Sequence, residues 1–151
     1  MPESLEPEAG MQQKTWEMMV HTPGRGLTEI TGEIEQVVRV SGFAEGLLTV
    51  YIRHTSASLT IQENADPDVQ RDLDAFFSRL VPDGDALFSH RSEGPDDMPS
   101  HIRSALTQTS LQIPLLKGQL ALGTWQGIYL FEHRTSPHTR NLVCHLSGQF
   151  V

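Results

Sequence analysis

The chain has 151 residues and a formal net charge of -8. This size suits one domain, and the charge disfavours nucleic-acid or membrane-surface partners, because both require a basic face. The single cysteine, Cys144, excludes an intramolecular disulfide and fits a reducing compartment. No apolar run approaches the roughly 18 residues of a membrane helix, and the acidic start does not resemble a secretory signal. We therefore expect a cytoplasmic protein.

Strands and helices alternate in the first two thirds of the chain, and strands alone follow. Residues 1–12 are rich in Glu and Pro, which predicts a disordered segment before a single domain over 13–151. Alternating apolar and β-branched residues predict strands. These cover 15–21, 47–54, 58–62, 111–115, 120–122, 128–134 and 141–146.

Three helices are predicted from capping residues and helical spacing. Thr31 is expected to cap the first helix, which ends at Gly42. Asp66 followed by Pro67 predicts the start of the second, and the third begins near Pro99. The second helix carries apolar residues at helical spacing, namely Val69, Leu73, Phe76, Phe77 and Leu80. The fold class is therefore α+β, mainly β, a layered sandwich of short strands with about three helices.

Motifs of several common chemistries are absent from the sequence. It contains no Walker loop, no dinucleotide-binding glycine fingerprint, no Gly-x-Ser-x-Gly elbow and no His-Glu-x-x-His helix. Cys144 lies in an apolar strand and has no second cysteine with which to form a zinc finger. We therefore predict that it is a small core residue and not a nucleophile.

Three blocks together carry a family resemblance. The first begins HTSASL at His54 and continues to Pro67, and the second runs from His90 through EGPDDMPSHI. The third reads LGTWQGI from Leu122 and ends EHR at Arg134. In this order and spacing the chain resembles the YjbQ-like family from about residue 15 to residue 148. It departs from the family pattern in the loop that ends at Asn141 and at its C-terminus, so Asn141 and the final residues are left out of the predicted site.

The resemblance implies a compact, mainly β fold, a homotrimer with a site near its subunit boundaries, and a secondary thiamine-phosphate synthase activity. That reaction joins a pyrimidine diphosphate to a thiazole phosphate and releases pyrophosphate. The implied partner is a small phosphorylated heterocyclic substrate, held with a divalent metal ion, magnesium or zinc. The alternatives are a metal-dependent hydrolase of a small phosphate ester and a non-catalytic trimeric ligand-binding module.

Histidines are the candidate metal ligands. His54 ends an apolar strand, while His90 and His101 flank an acidic loop. Imidazoles brought together in this way bind divalent ions, with nearby acids supporting them. The alternatives are a strand cap for His54 and solvent-facing rings for the other two. Asp96 and Asp97 precede the third helix, where helix capping explains one of them; the alternative for each is a direct ligand contact.

Candidate catalytic residues come from the first and third blocks. They are His54, as a general acid or base, with Asn64 and Gln126. The amide of Gln126 suits the edge of a heterocycle, Trp125 is expected to stack on its face, and Thr124 is the adjacent substrate contact. The alternatives are a turn amide for Asn64 and a core or subunit-interface position for Trp125.

Two arginines complete the predicted substrate site. Arg134 and Arg140 are candidate phosphate ligands, because a guanidinium group binds an oxyanion through two parallel hydrogen bonds. The alternative for Arg134 is an ion pair with Glu132, which lies on the same face of the strand. The alternative for Arg140 is an exposed position in a hairpin loop.

Overall fold

Two antiparallel sheets and three helices make up the computed structural model, which describes residues 10–150. The strands are β1 (Gln12–Thr22), β2 (Gly26–Glu29), β3 (Phe43–Ile52), β4 (Ala57–Glu63), β5 (Ser110–Leu116), β6 (Gln119–Leu120), β7 (Gln126–Glu132) and β8 (His138–Phe150). The helices are α1 (Thr31–Ser41), α2 (Pro67–Leu80) and α3 (Asp97–Leu106). The predicted α+β, mainly β fold is confirmed.

The two sheets share one apolar core. The larger has the strand order β1-β8-β3-β5-β6 and the smaller has the order β2-β7-β4. Side chains alternate between the core and the outer face along β8, where Leu142, Cys144 and Leu146 are buried. Cys144 is fully buried, as predicted, and burial raises the pKa of its thiol to about 12. The thiol therefore stays protonated and unreactive.

Helix α1 is tied to the smaller sheet by its first residue. The hydroxyl of Thr31 accepts a hydrogen bond from the backbone amide of Ile128 at 2.8 Å. The N-cap position belongs to Ile30, which makes no side-chain cap, so the predicted capping role of Thr31 is wrong. The helix ends as predicted at Gly42, whose φ of 77° lies in the left-handed region that glycine tolerates.

Helix α2 begins as predicted but lies on the surface. Asp66 accepts a hydrogen bond from the amide of Asp68 at 2.9 Å, and Pro67 opens the helix. No residue of α2 is buried, and Phe76 and Leu80 are 52% and 54% exposed. The helical spacing of the apolar stripe is confirmed, but within one chain the stripe contributes little to the core.

Several element boundaries differ from the predictions in ways that affect the site. Strand β3 ends at Ile52, so His54 lies in the turn that follows it. Helix α3 starts at Asp97, two residues before the predicted start. Strand β2 is too short for a period-two pattern and was not predicted. Of the predicted disordered segment, residues 1–9 lie outside the described residues, and Gln12 belongs to β1. Within residues 10–150 no helix is long and apolar enough to cross a membrane.

Candidate metal centre and its surroundings

Two histidines and one aspartate form a cluster at the start of helix α3. Asp97 and His101 are four residues apart and share a face of the helix, while His90 comes from the preceding loop. One ligand atom from each residue lies within 4.8 Å of the other two. Oδ2 of Asp97 is 2.6 Å from Nε2 of His90 and 3.2 Å from Nε2 of His101. We call this group the His90–Asp97–His101 cluster.

Neighbouring groups fix the orientation of the cluster. Nδ1 of His101 lies 3.0 Å from the carbonyl oxygen of Thr55. A carbonyl oxygen only accepts hydrogen bonds, so Nδ1 carries the proton, and in the neutral ring Nε2 presents its lone pair to the cluster. Nη1 of Arg134 donates to Oδ1 of Asp97 at 3.0 Å, which leaves Oδ2 facing the two imidazoles.

The carboxylate of Asp97 is held in its charged form. Burial alone would raise its pKa, but the hydrogen bond from His90 and the charges of His101 and Arg134 outweigh it and lower the pKa. The side chain of Asp97 is only 2% exposed, whereas those of His90 and His101 are 44% and 32% exposed. An anionic oxygen thus lies beneath two imidazoles that solvent can reach.

The guanidinium group of Arg134 makes its hydrogen bonds to the acidic segment 93–97. Its Nε donates to Asp96 at 2.9 Å, and its Nη2 donates to the carbonyl of Glu93 at 2.8 Å. Arg134 and the backbone amide of Thr135 hold the pKa of Asp96 at about 2, against the opposing effect of burial. Neither Asp96 nor Asp97 caps helix α3 through its side chain, so the capping interpretation is wrong. The alternative of an ion pair between Arg134 and Glu132 is also wrong, because Arg134 donates to Glu132 through its backbone amide and not through its guanidinium group.

A buried ion pair links the two sheets beside this cluster. Glu132 on β7 is fully buried and accepts from Nε of Arg140 on β8 at 2.8 Å, from Nη2 of Arg140, and from the hydroxyl of Thr22 at 2.7 Å. Burial would raise the pKa of Glu132, but the bonds from Arg140 and Thr22 lower it. Arg140 is 4% exposed, so its interpretation as an exposed hairpin residue is wrong.

His54 contacts this ion pair and not the metal cluster. Its Nε2 accepts from the backbone amide of Asn141 at 2.8 Å, and its Nδ1 is 3.4 Å from Nη1 of Arg140. Burial and the charge of Arg140 lower its pKa. The lone pair of Nε2 accepts the hydrogen bond from Asn141 and does not face a metal ion. His54 also does not belong to the group of His90, Asp97 and His101 whose ligand atoms lie close together.

His133 is a neutral histidine that the sequence reasoning missed. It is fully buried, and its Nε2 is 2.8 Å from the hydroxyl of Ser58. Burial, with the charges of Arg103 and Arg25, lowers its pKa to about 3. Its Nδ1 has no hydrogen-bond partner among residues 10–150.

The remaining predicted residues lie at the other end of the same strand pair. Strands β4 and β7 pair along their whole length. We call the end where Ala57 faces Glu132 the carboxylate end, and the end where Glu63 faces Gln126 the tryptophan end. Six residues separate them, or about 20 Å along a strand. Thr124 and Trp125 precede Gln126, and Trp125 is 63% exposed.

The tryptophan end is organised as a turn. Oε1 of Gln126 accepts from the backbone amide of Gly123 at 2.8 Å, and the backbone amide of Asn64 donates to the carbonyl of Trp125 at 3.1 Å. The side-chain amide of Asn64 donates to the carbonyl of Gln126 at 3.5 Å, which fits the turn-amide alternative. Within one chain the predicted catalytic residues therefore divide between two ends, His54 at one and Asn64 and Gln126 at the other.

Comparison with known proteins places the chain in a family. A model described as UPF0047 protein YjbQ-like matches residues 16–149. The UPF0047 protein sll1880 of Synechocystis sp. is 54% identical over 132 residues, covering 87% of this chain and 90% of that protein. The UPF0047 protein YjbQ of Escherichia coli is 44% identical over 138 residues, covering 91% and 98%.

Solved structures share the fold. A hypothetical protein of Aeropyrum pernix has a TM-score of 0.81 and 29% identity, covering 90% of this chain and 99% of that one. A YbjQ-like protein of unknown function from Sulfolobus solfataricus has a TM-score of 0.79, with 91% and 100% covered. Its identity is 20%, so this likeness concerns the fold alone.

The predicted thiamine-phosphate synthase activity is wrong. The relatives bear the name of the family and of no reaction, and the Sulfolobus structure is described as a protein of unknown function. The geometry agrees, because carboxylates already occupy the guanidinium forks of Arg134 and Arg140, the predicted phosphate ligands. The match over residues 16–149 and the identity of 54% show that the chain belongs to the UPF0047 YjbQ-like family.

Proposed function

We propose that this chain is a metal-dependent enzyme that binds one divalent transition-metal ion at the His90–Asp97–His101 cluster. The observation that carries the proposal is that His90, Asp97 and His101 each place a ligand atom within 4.8 Å of the others, with Oδ2 of Asp97 next to Nε2 of both histidines. Two ligands of one tetrahedral zinc ion lie roughly 3.3 Å apart, given metal–ligand distances of about 2.0 Å. The 3.2 Å between Oδ2 of Asp97 and Nε2 of His101 is close to that value, and the 2.6 Å between Oδ2 and Nε2 of His90 is the shorter distance of a hydrogen bond.

The donor set favours zinc or a similar ion over magnesium. Imidazole nitrogen suits zinc, iron, copper and nickel, whereas magnesium prefers carboxylate and water oxygens. Thr55 and Arg134 support this choice by orienting His101 and Asp97 from outside the cluster, as the outer neighbours of metal ligands commonly do.

Three protein ligands favour a catalytic site over a structural one. Structural zinc sites have four protein ligands, whereas catalytic sites keep a position for water or substrate. A bound ion supplies Lewis-acid activation of an oxygen at that position. The half-exposed rings of His90 and His101 leave access from solvent, and a cavity of about 390 Å³ borders His90, lined also by Phe88, Arg91 and Pro95.

Equilibrium dialysis against Zn²⁺, followed by measurement of metal content, tests the proposal. We expect about one ion per wild-type chain and at least a tenfold loss of affinity in Asp97→Asn, which removes the anionic ligand but keeps the shape of the side chain. Asp85→Asn is the matched control, because this exposed residue lies in the same region and makes only a local bond to the amide of Leu87. Equal zinc affinity in Asp97→Asn and wild type, or less than 0.1 ion per wild-type chain, contradicts the proposal.

A further inference from the structure

The hydrogen bonds of His54 determine which of its ring nitrogens carries the proton. Nε2 lies 2.8 Å from the backbone nitrogen of Asn141, which only donates. Nε2 must therefore be the acceptor, and in the neutral ring the proton is on Nδ1. Burial and the neighbouring charge of Arg140 favour the neutral ring. His54 thus presents an N–H group on the side that faces Arg140.

Arg140 also has a donor without an acceptor. Its Nε binds Glu132, and its Nη2 binds Glu132 and the carbonyl of Ser56 at 3.2 Å. In the part of the chain that the structure describes, the one polar atom within hydrogen-bond distance of Nη1 is Nδ1 of His54, at 3.4 Å. Because that nitrogen carries a proton, it does not accept. The side chain of Arg140 is only 5% exposed, yet its Nη1 faces another donor and has no acceptor.

Two convergent donors on a buried cation form the kind of arrangement that binds an anionic oxygen. Their separation of 3.4 Å is short enough for one oxyanion to bind both N–H groups. The ion pair with Glu132 holds the guanidinium group in place, so little side-chain freedom is lost on binding. Glu132 neutralises much of the charge of Arg140, which predicts modest affinity for a single anion.

The turn after β3 places these donors beside the His90–Asp97–His101 cluster. Three consecutive residues of the turn make the connection. His54 contacts Arg140, the carbonyl of Thr55 accepts from His101, and the carbonyl of Ser56 accepts from Arg140. A small molecule bound at one group therefore lies close to the other.

We infer that Nδ1 of His54 and Nη1 of Arg140 bind an oxyanion, the carboxylate or phosphate group of a small substrate. That the rest of this substrate reaches the metal ion rests on the function proposed above; the oxyanion site itself does not. Arg140 thus contributes one remaining donor to the anion, and not the two-pronged fork expected from the sequence.

The test uses the full chain after removal of metal with a chelator, so it does not depend on the metal site. Thermal unfolding is followed during titration with inorganic phosphate and, separately, with acetate, at constant ionic strength set with sodium chloride. A saturable rise in Tm with phosphate supports binding of a phosphate group, and a rise with acetate supports binding of a carboxylate. No saturable rise with either ion overturns the inference.

Two substitutions of His54 distinguish the loss of the Nδ1 donor from a general disturbance of the fold. In His54→Gln the amide oxygen replaces the Nε2 acceptor for Asn141, but no donor replaces Nδ1. In His54→Asn the amide nitrogen lies near the Nδ1 position and keeps that donor. We expect at least tenfold weaker anion binding in His54→Gln and binding within about threefold of wild type in His54→Asn. His145→Gln is the control, because His145 lies on β8 away from Arg140 and bonds to Thr15 on β1. Equal binding by His54→Gln and wild type overturns the inference.

Nitrogen NMR of the wild-type protein tests the same point without a substitution. Nδ1 and Nε2 of a neutral histidine differ in chemical shift according to which carries the proton. We expect a protonated Nδ1 in His54 and a further shift of this resonance on addition of the anion. A proton on Nε2 overturns the inference, because Arg140 would then already have its acceptor.

Discussion

The two ends of the β4–β7 pair differ in burial and in the type of contact they make. At the carboxylate end, Glu132 is fully buried in an ion pair with Arg140 that joins both sheets. At the tryptophan end, Trp125 is 63% exposed and the contacts are hydrogen bonds of a turn. The LGTWQGI block, one of the three that carry the family resemblance, therefore lies about 20 Å along β7 from Glu132. A distinctive motif and a chemical centre need not coincide.

The largest effect is expected from breaking the ion pair at the carboxylate end. Arg140→Met leaves Glu132 buried without a counterion, which should lower the free energy of unfolding by about 3–5 kcal/mol at pH 7. Urea unfolding of the metal-free protein measures this. Replacing both partners, with Glu132→Leu added, should recover much of the loss, because no buried charge is then left unpaired.

A surface ion pair provides the control. Arg53 lies 3.3 Å from Glu17, and the two side chains are 56% and 76% exposed. Arg53→Met should cost less than about 1 kcal/mol, since solvent screens such a pair. If Arg140→Met lowers the free energy of unfolding by no more than Arg53→Met does, the buried ion pair stabilises the fold no more than the surface pair, and this prediction is wrong.

A pH-dependent effect of intermediate size is expected from His133. Burial lowers its pKa in the folded chain to about 3, below the ordinary histidine value of 6.5, so as the pH falls the unfolded chain takes up a proton that the folded chain does not. The stability that the neutral ring contributes is therefore present above pH 6.5 and is lost as the pH falls from 6.5 toward 3. At pH 5 this loss is about 2 kcal/mol.

His133→Phe should reduce the fall in unfolding free energy between pH 7 and pH 5 by about 2 kcal/mol. Urea unfolding at both pH values measures this. The ring already packs against Phe131, with centroids 4.6 Å apart, so phenylalanine suits the site. Ser58→Ala is the control. It removes the partner of Nε2 and lowers stability at both pH values, but it leaves the buried ring and hence the pH dependence. The same pH dependence in His133→Phe and wild type would refute this account.

The smallest effect is expected at the tryptophan end. Trp125→Ala removes a side chain that is 63% exposed, so the free energy of unfolding should change by no more than about 0.5 kcal/mol. Zinc affinity should stay within twofold of wild type, because the residue lies far from the His90–Asp97–His101 cluster. Urea unfolding and dialysis measure both quantities. A loss of stability above about 2 kcal/mol would instead favour the alternative given for Trp125, a position in a subunit interface.

Local chemistry made much of the fold predictable. The cap at Asp66 and the glycine at Gly42 depend on a few neighbouring residues, and both were predicted correctly. Strand β8 is longer than its predicted segment, because polar residues at its ends continue the ladder with β1. Strand β2 was missed because four residues carry too little pattern, and its pairing with β7 stabilises it.

The site was predictable only in part. Asp97 and His101 share a helix face, so their spacing of four residues was a usable signal. The approach of His90 depends on the path of the loop before α3, and the pairing of Glu132 with Arg140 depends on how the two sheets pack. Neither is encoded in local spacing. His54 was predicted as a metal ligand from its type and position, but a backbone amide more than eighty residues away occupies its Nε2.

Anomalous X-ray scattering from crystals of the zinc-loaded chain would locate the bound metal ion itself. We expect one strong peak bound by Nε2 of His90, Oδ2 of Asp97 and Nε2 of His101, with Thr55 and Arg134 in their present contacts. A peak at His54 or at the tryptophan end, with His90, Asp97 and His101 still bonded only to one another, would contradict the proposed metal site.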